Sequence, residues 1–360
     1  MRLVFSLLVV LVVACGGATY ASDEPPLDAT PTPISEKTPE ATPAPRPLPA
    51  PSRRVTINAV GDIMLARDLT TMMDTYGSAA PYAAVRDLLA DADLTIANME
   101  GTFTERGVQQ VKAYTFRTPP RHAAGLSEAG IDIVSLGNNH TADYGRLGVL
   151  DTLAALDAAG VRHAGAGMDE LEARSPVLTE VNGLRIAFLS YNAILEATFA
   201  GSTSAGVAYG SEANVRHDVT YWKERSDVVI VALHAGTEYT DAPNATQLVV
   251  AQAAVESGAA LVLGHHPHVL QGWGAWGDGV IVYSLGNFVF DLDADDLRTL
   301  GERPFQSVIL RIELTPAGVT SITPRPLYID PVENRPVPAT GERLRGIEER
   351  YERLNGTLAH

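Results

Sequence analysis

The sequence predicts a single α/β domain built on two packed sheets. Three observations carry that expectation. From Val55 onward, short apolar strands alternate with stretches of helical periodicity, and later strands follow one another directly through hairpins. Residues able to bind metal fall just past the carboxyl ends of the strands, where open α/β sheets form their ligand crevice.

Taken in order, Val55 to Val60 reads as a strand ending at Gly61-Asp62. An Ala- and Leu-rich helix around Ala83 to Ala90 precedes a second strand, Leu94 to Glu100. Ile131 to Leu136 forms a third and runs into Gly137-Asn138-Asn139-His140. Residues 145 to 159 alternate apolar and polar at helical spacing and stop at Gly160. Val177 to Val181 and Leu184 to Ser190 flank Asn182-Gly183, the strongest short hairpin signal. Asp227 to Leu233 is a buried strand ending at His234, followed by a helix from about Pro243 to Ser257. Leu261-Val262-Leu263 leads into Gly264-His265-His266-Pro267-His268. Strands at Val280 to Leu285, Ser307 to Leu314 and Val319 to Ile329 follow, and an amphipathic helix, about Gly341 to Asn355, closes the chain.

At 46% hydrophobic and 19% charged over 360 residues, the chain can fill one large core. Its net charge of -16 excludes nucleic acid as a partner held by bulk attraction. An anionic ligand must instead be held locally, by metal or by a few arginines. Leu3 to Val13 is an apolar run behind Arg2, too short to span a bilayer, and residues 1–22 read as a signal peptide. Val12-Val13-Ala14-Cys15 resembles a lipobox, which makes Cys15 the lipidated residue; ordinary cleavage near Ala18 to Ala21 is the alternative. Cys15 is the only cysteine and so has no disulfide partner. Residues 23–52 carry ten of the 23 prolines and read as an extended tether, with reach up to ~90 Å. The globular part is expected over 53–335, with a C-terminal helix and tail over 336–360.

Asp62, Glu100, Asn139-His140, His234 and His266-Pro267-His268 each stand at a strand end, so residues distant in sequence should converge. Carboxylates, an amide and imidazoles make a mixed oxygen and nitrogen site suited to one or two Mn, Fe or Zn ions, without structural-zinc thiolates. Five of the nine histidines lie in these motifs, which sets the cluster apart from scattered turn residues. His265 is expected to pack behind the site and point away from it. Arg67 and Arg117 are candidates for holding an anionic substrate, or ordinary surface arginines.

Six ordered blocks resemble the signatures of the CapA-type capsule (poly-γ-glutamate) biosynthesis family, a branch of the calcineurin-like metallophosphoesterases. They are Gly61-Asp62-Ile63-Met64, Asn98-Met99-Glu100-Gly101, Ser135 to His140 with Asp143-Tyr144-Gly145, His234 to Tyr239, Gly264 to Gln271 and Tyr283 to Asp291. The resemblance implies a four-layer αββα sandwich of two mixed sheets flanked by helices, around a dinuclear centre. It implies that Asp62 binds one metal and that Glu100 bridges both. Asn139, His234 and His266 would complete the second metal, and His268 would return to the first. His140 would be a non-ligand general acid, and Asn287 would orient substrate or cap its turn. Three departures stand out: Met64 replaces an imidazole usual in the wider superfamily, Glu100 replaces its bridging Asp, and Ala235 replaces the family's Trp after His234.

Two functions fit this reading. One is an extracytoplasmic metal-dependent hydrolase, acting on a phosphoester or an amide-linked anionic polymer. The other is a non-catalytic accessory that binds or exports such a polymer beside capsule-synthesis membrane proteins. Both place the chain at the cell membrane through an N-terminal lipid anchor, since each buried methylene of an acyl chain contributes ~0.8 kcal/mol. Cys15→Ser is therefore expected to release the protein from membranes or block its processing, as read by fractionation; a mature N-terminus sequenced at Ala21 or beyond would overturn the lipoprotein reading.

Overall fold

The computed structural model describes residues 53–195 and 197–358. The expected signal peptide with Cys15 and the proline-rich tether lie outside the described residues. Parallel strands covered on both faces need apolar residues at every position, and the central strands have them. In Val228–His234, Val228, Ile230 and Ala232 face the space between the sheets, while Val229, Val231 and Leu233 face helices on the outside.

The first sheet runs Arg335–Pro338, Gly318–Asp330, Gln306–Thr315, Val55–Ile63, Leu94–Met99, Ile133–Ser135 and Arg162–Ala164. Asn287–Val289 lies parallel beside the end of Val55–Ile63. The second sheet runs Trp273–Trp276, Gly279–Val282, Leu261–His265, Val228–His234, Leu184–Asn192 and Val177–Val181. The first sheet is parallel from Val55–Ile63 to its Arg162–Ala164 edge and antiparallel on the other side, while the second has a parallel centre between two antiparallel margins. Ile57, Ile96, Phe188, Ile230, Leu263 and Leu310 fill the space between them. Asp68–Tyr76 and Gly145–Ala159 cover the outer face of the first sheet; Glu212–Lys223 and Ala245–Glu256 cover that of the second. The result is the expected four-layer αββα sandwich.

Local sequence explains most boundaries. Gly160 closes Gly145–Ala159 in the left-handed conformation. Asn244 and Gln247 form a reciprocal capping box at the start of Ala245–Glu256. Asn182 and Gly183 both have positive φ, the geometry of a two-residue hairpin turn. The helix expected over 83–90 is instead a 3₁₀ turn, Ala80–Tyr82, followed by the short helix Arg86–Leu89. Pro81, which has no amide proton to donate, sits second in that 3₁₀ turn, and the amides of Ala83 and Val85 each donate to the carbonyl three residues back. The strand expected over Val280 to Leu285 ends at Val282.

The C-terminal helix Gly341–Thr357 places Ile347, Tyr351 and Leu354 in the central core. Its Arg350 is 5% exposed and donates to Asp241, to Gln306 and to the carbonyl of Leu270.

Two glycines make room for the segment that leads from Gly279–Val282 in the second sheet to Asn287–Val289 in the first. A Cβ on Gly61 would sit 2.0 Å from the Gly286 carbonyl oxygen, and one on Gly264 would sit 2.0 Å from that of Tyr283. Both contacts are with backbone, which cannot swing aside. Gly264→Ala is expected to destabilise the fold by more than the ~1–3 kcal/mol of ordinary overpacking, measured by chemical denaturation. An unchanged midpoint would show that the strands can separate there.

Candidate metal centre

Asp62 owes its position to a bulge. Ala59 pairs with Ile96 and Asp62 with Asn98, so three steps along one strand match two along its neighbour. The extra residue re-aims the side chain toward the second sheet. There Asp62 Oδ1 accepts from Asn98 Nδ2 at 2.9 Å and from His265 Nδ1 at 3.0 Å, and Oδ2 accepts from the His266 amide at 3.3 Å. Burial alone would raise its pKa, but hydrogen bonds from His265 and His268 hold it well below the usual carboxylate range.

His265 therefore does not point away from the centre. Leu261 and Leu263 face the other sheet, and the two-residue period of the strand carries His265 to the same side, onto Asp62. The chain then turns sharply: His266 has φ of 97° and His268 of 57°.

Glu100 lies past the end of Leu94–Met99, fully buried, and neither carboxylate oxygen has a hydrogen-bond partner. His268 Nε2, His140 Nε2 and His234 Nε2 stand 3.7, 3.8 and 3.9 Å from its Oε1. Burial, reinforced by the charge of Asp62, pushes the Glu100 pKa well above its ordinary value. An ionised carboxylate without partners is costly in an interior. A cation between Glu100 and these rings removes that cost.

The other donors complete the set. Asn139 Oδ1 lies 2.8 Å from His234 Nε2. His234 and His266 pack ring to ring at 4.9 Å, and Nδ1 of each is buried without a partner. Burial depresses both, His266 to about 3, so both present neutral rings. Burial also disfavours charge on His268, but Glu100 and Asp62 outweigh it and push its pKa up to about 10. Oxygen and nitrogen atoms of Asp62, Glu100 and His234 lie within 4.8 Å of one another, as do those of Glu238, His266 and His268. Buried partnerless donors, neutral imidazoles and a mixed oxygen and nitrogen set fit divalent metal.

His140 Nδ1 lies 2.8 Å from Asp143 Oδ2, and Lys112 Nζ bonds Asp143 Oδ1 at 2.8 Å and the Asn139 carbonyl at 2.8 Å. The His140 ring rests on Phe116 at 4.3 Å, and Arg67 lies against the same Phe116 ring, 5.1 Å from its centroid. Arg117 stacks on Tyr144 at 4.5 Å. Both arginines are exposed, and neither makes an ion pair among the described residues. Asn287 is 1% exposed: its Oδ1 lies 2.9 Å from His268 Nδ1, and its Nδ2 donates to the carbonyls of His268 and Pro304. With its amide committed, it holds His268 in place and has nothing to offer a substrate. Met64 turns its sulfur to the Ala66 amide.

The sequence reading assigned no role to Asn98, Asn138, Asp143, Lys112 or Glu238. Asn138 Nδ2 donates to Asn98 Oδ1, and Asn98 donates to Asp62, forming one chain behind the centre. Their adjacency to Glu100 and His140 in the motif blocks was the available signal.

Residues 56–292 match the family described as bacterial capsule synthesis protein PGA_cap. The chain belongs to this family. It is 31% identical over 302 residues to the capsule biosynthesis protein CapA of Bacillus anthracis, covering 80% of this chain and 70% of that one. It is 29% identical over 285 residues to the PGA biosynthesis protein CapA of Bacillus subtilis, covering 77% and 75%. A Mycobacterium tuberculosis relative, 28% identical over 283 residues and covering 73% of each chain, is named a probable polyglutamine synthesis accessory protein. A 5'-nucleotidase precursor from Thermus thermophilus superposes with a TM-score of 0.46 at 11% identity, over 85% of this chain and 59% of that one.

Glu100→Gln tests the electrostatics. The substitution removes a buried charge, so chelator-treated protein should melt no lower than wild type, while the rise in Tm on adding Mn or Zn should vanish. A variant still stabilised by metal would contradict the assignment of Glu100.

Proposed function

We propose that this member of the PGA_cap family is an extracytoplasmic, lipid-anchored, metal-dependent hydrolase of an anionic capsule-like polymer or its phosphoester precursors. The observation that carries the proposal is Glu100, whose two oxygens lack hydrogen-bond partners and whose Oε1 faces imidazoles of His140, His234 and His268. Asp62, Glu100, Asn139, His234, His266 and His268 would hold one or two divalent ions. Such ions would supply Lewis acidity and lower the pKa of a bound water.

The chain's own residues supply the rest. Asp143 accepts from one side of the His140 ring, which turns Nε2 toward the centre; from there His140 can hand a proton to a leaving oxygen or nitrogen. Asn287 and Asp62 orient His268. Arg67, stacked on Phe116, and Arg117, stacked on Tyr144, would meet an approaching anion. Relatives named for capsule and PGA biosynthesis support a γ-glutamyl polymer as the substrate context.

The accessory reading, in which the same centre binds polymer without cleaving it, draws support from the name of the Mycobacterium relative. His140→Ala separates the two. For a hydrolase, metal content should stay at the wild-type level while turnover falls by ~10²–10⁴-fold on an unactivated phosphoester or γ-glutamyl amide. An activated aryl phosphate, whose leaving group needs no proton, should suffer less. Metal-loaded wild type without turnover across that panel would favour the accessory reading.

A further inference from the structure

The proposed ligand set leaves one acidic group unassigned. Glu238 is exposed on the loop after Val228–His234, and no hydrogen bond or ion pair accounts for its carboxylate among the described residues. One of its carboxylate oxygens and one ring nitrogen each of His266 and His268 all lie within 4.8 Å of one another. This trio shares no residue with the Asp62, Glu100 and His234 trio, yet adjoins it: His268 Nε2 is 3.7 Å from Glu100, and the His266 ring packs on His234. Two donor clusters thus stand side by side, one buried and one opening to solvent.

Two further observations make Glu238 more than a solvated surface acid. His266 is 6% exposed, and its Nδ1 is buried without any partner, so one ring of the trio carries an unmatched polar nitrogen. The two loops are also fastened together in unusual backbone geometry. The amide of Tyr239 donates to the Pro267 carbonyl at 2.8 Å, and Tyr239, His266 and His268 all have positive φ. Non-glycine residues adopt that region rarely, persist there only when the surrounding structure over-determines them, and cluster at ligand sites. Here the strained residues are two members of the trio and the immediate neighbour of the third.

We propose that Glu238 is a metal ligand, sharing a second cation position with His266 and His268 and closing the centre on its solvent side. The assignment rests on the metal-centre reading above. It makes Glu238 the carboxylate of the outer position, as Asp62 and Glu100 are those of the inner one, and it makes the outer ion the more easily lost of the two.

The test uses the full chain, stripped with chelator and dialysed against Mn²⁺ or Zn²⁺, with bound metal counted at each free concentration. Wild type should take up two equivalents. Glu238→Gln should keep the tighter one and bind the second at least ~10-fold more weakly, since loss of a direct ligand costs no less than loss of an outer partner. Glu238→Asp should recover part of that affinity, and Glu180→Gln, an exposed acid on the Val177–Val181 strand, should match wild type. Because Glu238 is exposed, metal-free Glu238→Gln should melt with wild type. A wild type that binds one equivalent, or a Glu238→Gln that binds as wild type does, overturns the Glu238 assignment and leaves the metal centre standing. A wild type that binds no metal overturns both.

Discussion

The carboxylate of Asp62 takes hydrogen bonds from both sheets at once, from Asn98 on its own side and from His265 and the His266 amide on the other. A buried charge is tolerable only when its partners are in place, so this contact sets how the sheets can lie against each other at that end. A slip of one residue in either strand would leave the carboxylate without its donors. The glycines at 61 and 264 bear on the same end, because they leave room for the Tyr283 to Gly286 backbone that crosses there from one sheet to the other. Glu100 and the three rings facing it take their places within this frame. Asn98 is the register partner of Asp62, two residues before Glu100, and His234 is the register partner of His265.

Much of this was legible in the sequence, for identifiable reasons. Parallel strands covered on both faces leave unbroken apolar runs, and those runs end visibly at Asp62, Glu100 and His234. His265 was harder. Three imidazoles in four positions share one motif, and only the period continued from Leu261 and Leu263 tells which of them turns back onto Asp62. Asn287 shows a different limit: it is an ordinary turn residue until the register that places it beside Asp62 is known, a fact about strands far apart in the chain. Edge strands were missed for another reason. Arg335–Pro338 holds two prolines and Trp273–Trp276 a central glycine, both of which blur the alternation that marks a strand.

Charge is distributed in keeping with an anionic ligand. A chain of net charge -16 repels polyanions at long range, and at physiological salt that repulsion fades beyond ~8 Å. Attraction has to come from close quarters. Divalent ions among Asp62, Glu100 and the histidines would provide it, and Arg67, held over Phe116, would add a positive charge nearby. Recognition would then be short-ranged, weakly dependent on bulk ionic strength, and governed by what fits against the aromatic wall.

The anchoring of the last helix bears on when the centre can exist during synthesis. Arg350 grips Asp241, three residues beyond Glu238, and the carbonyl of Leu270, two residues beyond His268. Both loops on the histidine side are thus tied down from Gly341–Thr357, the last element among the described residues. A nascent polypeptide emerges amino end first. The strands bearing Asp62 and Glu100 are made before that helix, so the loops opposite them lack this fastening until Gly341–Thr357 has been made. A settled centre would accordingly await that helix, and a polypeptide released before it would carry the strands of both sheets without the Arg350 contacts that tie these loops.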